Sequence, residues 1–249
     1  MVCFRRILLW GGVLLLVCPS LSWAYTFKPS ELEFRAWPAF CKVVYLRTNI
    51  GKTSPHYKHV VPSDHAKAGA VLGDWPYGEG GVHHLCAGMT LLDRARAGFD
   101  PIWKRRYLDE AESQTLFTMD KSKPGGISFT LSASQMALVL YEKGEVREAL
   151  DLLDWAIQQS PSTARFYVVK ATLHYRRGEY ELSRDVLVLG TQRIEVPSPE
   201  IQYNLGLVLI KIGDYESAAE HAYIAYENGH PLPGLRSKLE KLGHWSPDN

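Results

Sequence analysis

Three glycine turns recur at intervals of 34 and then 35 residues: Gly144-Glu145-Val146, Gly178-Glu179-Tyr180 and Gly213-Asp214-Tyr215. A repeat of this length is a paired-helix unit that cannot bury its apolar face alone. It must stack on its neighbours, which commits this half of the chain to a helical solenoid. Before each glycine lies an apolar-periodic stretch long enough for one helix. After it comes an amphipathic stretch with a small residue five positions beyond the glycine, namely Ala149, Ser183 and Ala218. Small side chains there let two helices approach closely.

The third unit carries Leu205, Gly206, Gly213, Tyr215, Ala218 and Ala225, and in this pattern it resembles the tetratricopeptide repeat. The first unit, about Thr130 to Thr163, keeps Ala137, Gly144, Ala149, Ala156 and the closing Pro161. The second, about Ala164 to Pro197, has Gly190 where the family usually has alanine and Glu195 where it usually has proline, so a weakened outer helix is expected there. The resemblance covers roughly Thr130 to Gly243 and implies an all-α, right-handed helix-turn-helix solenoid. Beyond His230-Pro231-Leu232-Pro233, Leu235, Leu239 and Leu242 fall at a four-then-three spacing with charges between them. That stripe suits a capping helix over the last repeat.

In this family the first helices line the concave face, and the register carries that role onto specific positions. They are Leu131, Ser134, Leu138, Tyr141 and Glu142 in the first unit, then Arg165, Val168, Thr172, Tyr175 and Arg176. The third unit contributes Glu200, Tyr203, Leu207, Ile210 and Lys211. Tyr141, Tyr175 and Tyr203 beside Arg165, Arg176 and Lys211 combine amphipathic anchors with cations. Such a groove is expected to bind an extended or helical peptide, or a protein segment, with acidic groups. The lysine and asparagine set that grips a C-terminal carboxylate in some members is not reproduced here.

At the other end, Arg5-Arg6 precedes an apolar run from Ile7 to Cys18, then Ser22-Trp23-Ala24, the build of a secretory signal peptide over residues 1–24. The run is too short to span a bilayer, so no stable membrane insertion is expected after cleavage. Losing two arginines and no acids turns the formal net charge from +1 to −1, which does not call for nucleic acid or an anionic membrane as partner. Two cysteines remain, Cys41 and Cys86, and in an exported chain they read as one disulfide. The leader style together with the resemblance points to the bacterial envelope, in the periplasm.

Ser30 with Glu33 forms a capping-box pattern opening a helix that carries Phe34, Cys41, Val44 and Tyr45, with a kink or break at Pro38. A second helix is expected over His83 to Arg96. Asp100-Pro101 opens a third that runs to about Met119. Leu108-Asp109-Glu110-Ala111 resembles the start of a repeat's second helix, with Gly88 as the glycine of its first. That offers a divergent fourth repeat with a lengthened turn. Between these helices, Thr48 to Gly81 is rich in glycine and proline, with one short helix from Ser63 to about Leu72.

This region also gathers His56, His59, His65, His83 and His84. Their spacings match no closed zinc framework, no Cys-x-x-Cys-His haem attachment is present, and a disulfide cysteine cannot also ligate as thiolate. No metal and no cofactor is therefore expected. No G-x-S-x-G, phosphate-cradling glycine loop or H-E-x-x-H occurs. The sequence is thus read as a signal peptide (1–24), an N-terminal helical, loop-rich region (25–126), three repeats (127–232) and a capping helix with its tail (233–249). The function expected is a non-catalytic adaptor, not an enzyme. Its rivals are a metal- or haem-handling protein using the histidine-rich insert, and an enzyme with a site between the N-terminal helices and the solenoid.

Overall fold

The computed structural model describes residues 27–72 and 81–245, without the side chains of Tyr57 and Leu72. The leader expected at residues 1–24 lies outside them. Among the described residues every regular element is helical.

The capping box is present: Ser30 Oγ accepts from the Glu33 N–H while the Glu33 carboxylate accepts from the Ser30 N–H, and α1 (Glu31–Ala36) follows. Proline at 38 cannot donate into a continuing helix, so the chain breaks there and restarts as α2 (Ala39–Tyr45). Two short 3-10 turns, Gly51–Thr53 and Pro55–His59, lead into α3 (Pro62–Leu72), which packs on α2. Then α4 (Val82–Ala97) and α5 (Pro101–Asp120) form a long antiparallel hairpin. Asp100 accepts from the N–H groups of Ile102 and Trp103, and Pro101 occupies the first helical position, where a missing N–H costs nothing.

Cys41 of α2 is joined to Cys86 of α4, with Cα atoms 5.6 Å apart. The Trp37 indole donates to Thr90 Oγ1 at 2.7 Å, and Arg94 makes a two-pronged contact with Glu33 at 2.7 and 2.8 Å. Phe34, Trp37, Tyr45, Leu91 and Leu92 fill the core beneath these links.

The solenoid follows as α6 (Ile127–Glu142), α7 (Val146–Gln159), α8 (Ala164–Arg176), α9 (Tyr180–Arg193), α10 (Pro199–Ile212) and α11 (Tyr215–Glu227), closed by α12 (Gly234–Leu242). Each hairpin turns on its glycine, with φ of 85°, 77° and 90° at Gly144, Gly178 and Gly213, a left-handed conformation that costs other residues 1–2 kcal/mol or so. One apolar cluster joins α6 to α8, and the next runs from α8 to α12, where Leu235 and Leu239 of the cap are wholly buried.

The seam between paired helices explains the small residues. A Cβ on Gly206 would lie 3.1 Å from the Ala218 carbonyl oxygen, and one on Gly88 would lie 3.2 Å from that of Ala111. The α4–α5 hairpin therefore closes on the same glycine-to-carbonyl approach as the third repeat. Ser183, standing where the other units have alanine, is wholly buried and donates its hydroxyl to the Ala171 carbonyl at 2.8 Å.

Gly190, expected to weaken the second unit's outer helix, does not break it. Helix α9 runs through it unbroken, and a Cβ there would meet Ile201 Cδ1 at 2.8 Å and the Tyr167 ring carbons from 3.1 Å. Tyr167 is fully buried with its hydroxyl donating to the Pro161 carbonyl at 2.7 Å. The missing methyl is the space its ring needs.

Candidate partner-binding surface

The six positions singled out as a groove divide into three groups. Arg165, at the start of α8, and Lys211, at the end of α10, are exposed and make no ion pair among the described residues. Tyr175 is half-buried, its ring edge-on to Tyr180 of α9 at 5.2 Å.

Tyr141 and Arg176 are committed to each other. The Arg176 guanidinium lies 5.3 Å from the centre of the Tyr141 ring and donates to Glu142 Oε1 at 2.9 Å. Arg96 of α4 donates to that same oxygen, also at 2.9 Å. One carboxylate, its side chain 13% exposed, thus bridges guanidiniums from the helices on either side of α6. Burial pushes the Glu142 carboxyl upward, but the two guanidiniums outweigh it and hold it below the usual carboxylate range. Arg96 also lies 3.9 Å from Asp93, which balances the second guanidinium.

Tyr203 is withdrawn from the surface. Its ring stacks on His230 with centroids 3.8 Å apart, and only 9% of it is exposed. The segment leading into α12 covers it, so this tyrosine is inter-helix packing rather than a free anchor. In the first unit, Ser134 is fully buried, and Leu131 and Leu138 pack against the N-terminal cluster. The N-terminal helices therefore pack on the first repeat through these leucines, on the side where the enzyme alternative placed its site.

His65 is exposed, the His83 and His84 rings lie 4.4 Å apart, and the other histidines of the insert have their own contacts. His56 lies 3.1 Å from the Pro29 carbonyl and stacks on Phe34, while His59 reaches Glu31 at 2.9 Å. His84 Nδ1 lies 2.5 Å from the Gln114 amide oxygen, with its ring against Phe117. Burial, followed by the neighbouring His84, pushes His83 down to about 4. Among the described residues no group of three or more histidine, cysteine, aspartate or glutamate side chains is placed to hold a metal ion.

A cleft of ≈ 510 Å³ between α7 and α8 was not anticipated; its walls include Leu150, Asp151, Asp154, Lys170, His174 and Arg177. Lys170 is already paired with Asp154 at 2.5 Å. His174 lies 2.8 Å from Glu179, whose carboxyl is held at about 2 by hydrogen bonds first from Arg177 and then from His174. Sequence periodicity gave no sign of it, because it lies between helices of successive units.

Comparison with known proteins adds a similarity. Residues 134–187 match the tetratricopeptide repeat family profile. The TPR repeat-containing protein MJ1428 of Methanocaldococcus jannaschii is 30% identical over 92 residues, covering 37% of this chain and 16% of that protein. This chain therefore matches only about a sixth of that relative's length. Two solved structures align over 66% of this chain with TM-scores of 0.38: a MamA mutant, 14% identical with 90% of its chain covered, and MamA MSR-1 C2, 16% identical with 88% covered. The matched stretch runs from within α6 to within α9, and the helices that follow continue the solenoid to the cap at Leu242.

Proposed function

We propose that the chain is a non-catalytic adaptor of the bacterial envelope, exported to the periplasm, whose first helices hold an acidic peptide or protein segment. The observation that carries this reading is the pair of unneutralised cations, Arg165 and Lys211, on the first helices of two successive repeats. Tyr175 and Arg176, the latter paired with Glu142, stand on the same helix as Arg165. Tyr203 is buried and Tyr141 supports Arg176, so neither is offered as a free anchor. Desolvated aromatic and cationic side chains are the usual energetic centres of such interfaces. The Cys41–Cys86 disulfide accords with an oxidising compartment. No helix of the described residues is long and apolar enough to cross a membrane.

The test is site-specific photo-crosslinking in the native envelope from position 175, with position 182 on the outer helix α9 as control. The expected result is a discrete partner captured at 175 and lost in the R165E/K211E variant, with melting unchanged. Equal capture at both positions, or capture indifferent to the charge reversals, would overturn the proposal.

A further inference from the structure

The turn between α4 and α5 is the most exposed apolar feature among the described residues. Phe99 is fully exposed, Ile102 keeps 78% of its surface and Trp103 49%. Single exposed apolar residues are ordinary, but three within five residues at one turn are not. Lys104, Arg105 and Arg106 follow directly, and the Arg106 guanidinium lies 5.2 Å from the centre of the Trp103 ring. The nearby acids are largely occupied. Asp100 caps its own helix, Arg105 is 4.0 Å from Asp109, Asp109 also meets Lys143 at 2.9 Å, and Glu110 lies in the field of Arg94.

The tip also projects. Lys143, beside the turning glycine of the next hairpin, meets α5 at Asp109 and Glu112. The first eight residues of α5 therefore continue beyond that level, roughly 10 Å at helical rise.

A second observation fixes what lies near this end. Phe27, the first described residue, packs on Arg94, 5.1 Å from guanidinium to ring centre. The same guanidinium lies 6.0 Å from the Tyr107 ring, and Tyr107 packs against Trp103 with centroids 5.8 Å apart. Phe27, where the described chain begins, thus lies at the hairpin end that carries the exposed tip.

We infer that the α4–α5 tip is a lipid contact that seats the protein on an anionic membrane surface. Phe99, Ile102 and Trp103 enter the head-group boundary, while Lys104, Arg105 and Arg106 remain at the level of the lipid phosphates. Apolar side chains leading and cations directly behind them are the order in which a bilayer presents acyl chains beneath anionic head groups. The contact is peripheral and spans nothing. The overall charge does not call for an anionic membrane, but a global balance near zero conceals a local cluster. The inference stands apart from the peptide-binding reading, because it uses none of the same residues.

The test places a genetically encoded polarity-sensitive fluorophore at position 99 of the full-length chain, or at position 189 on α9 as control. Vesicles are phosphatidylcholine with or without phosphatidylglycerol. The expected result is a blue shift at 99 only with phosphatidylglycerol and none at 189. In the chain without a fluorophore, K104E/R105E/R106E lowers partitioning to the anionic vesicles by about a hundredfold, with the melting curve unchanged. A probe at 99 that stays in water on anionic vesicles would overturn the inference. So would equal binding by the reversed variant, or a shift that grows with protein concentration without lipid, which would assign the tip to a second copy of the chain.

Discussion

Replacing Gly206 tests the seam that holds the last repeat to its cap, because two opposing effects act at one site. Glycine inside a helix costs about 1 kcal/mol relative to alanine, so Gly206→Ala gains that much from the backbone alone. The new Cβ would sit 2.6 Å from Leu235 Cδ2 and 3.1 Å from the Ala218 carbonyl oxygen. The first contact can be relieved by turning Leu235 off its rotamer, at about 0.5–1.5 kcal/mol. The second involves backbone, and relief there means moving α11. Alanine should therefore come out between neutral and about 1 kcal/mol destabilising. Valine adds two carbons against the same neighbours, and overpacking of 1–3 kcal/mol or so is no longer offset by helix propensity. If the cap lifts instead, the burial of Leu235, worth about 2 kcal/mol, is lost. Gly206→Val should thus cost about 2–4 kcal/mol, read as a lower urea midpoint by circular dichroism. Repeat arrays need not unfold in one step, so hydrogen exchange should show α12 losing protection before α6 and α7. A valine variant with an unchanged midpoint and a protected α12 would refute the reasoning.

Removing the disulfide as C41A/C86A should cost up to about 4 kcal/mol in the chain-entropy account for a separation of 45 residues, measured by urea denaturation. Thiols that alkylate freely in unreduced native protein would count against the link. Glu33 is held down to about 2, chiefly by its hydrogen bond from Arg94. Its contribution is present above the usual glutamate range and is lost as pH falls from about 4.5 towards 2. The full shift would correspond to about 3 kcal/mol, and the partial exposure of both side chains, 29% and 25%, reduces that to about 1–2. Glu33→Gln should flatten that part of the acid-stability curve, and an identical curve for both proteins would argue against it. Glu142→Ala leaves Arg176 without its carboxylate and Arg96 with only Asp93, 3.9 Å away, so stability should fall by about 1–3 kcal/mol. Added salt should narrow the difference in melting temperature; a difference insensitive to salt would assign the loss to packing.

The repeating helices were legible because their signals are local. Glycine can adopt the left-handed turn at 144, 178 and 213, and leucines at 235, 239 and 242 need only the helical period to show a stripe. The capping box at Ser30 and the Asp100-Pro101 start are equally short-range. What escaped depends on contacts between distant segments. Nothing near Tyr203 announces that His230 will cover it, and Gly190 looks like a defect until Tyr167 is placed beside it. The Glu142–Arg176 pair is different, since the two are 34 residues apart and share one register position with opposite charges. Comparing charges column by column across the repeats would have found it. Arg96 would still have been missed, because its hairpin is longer and out of register. The exposed tip was visible as Phe99, Ile102 and Trp103, yet exposure is a tertiary property and a helix-period reading does not supply it.

The bond between Cys41 and Cys86 encloses every residue from 42 to 85, including the glycine- and proline-rich connection. A protease that cuts the backbone once inside that span makes two polypeptides that stay fastened through sulfur. Such a nicked molecule would run as one band without reductant and as two with it, while keeping α1 and α2 attached to the hairpin they cover.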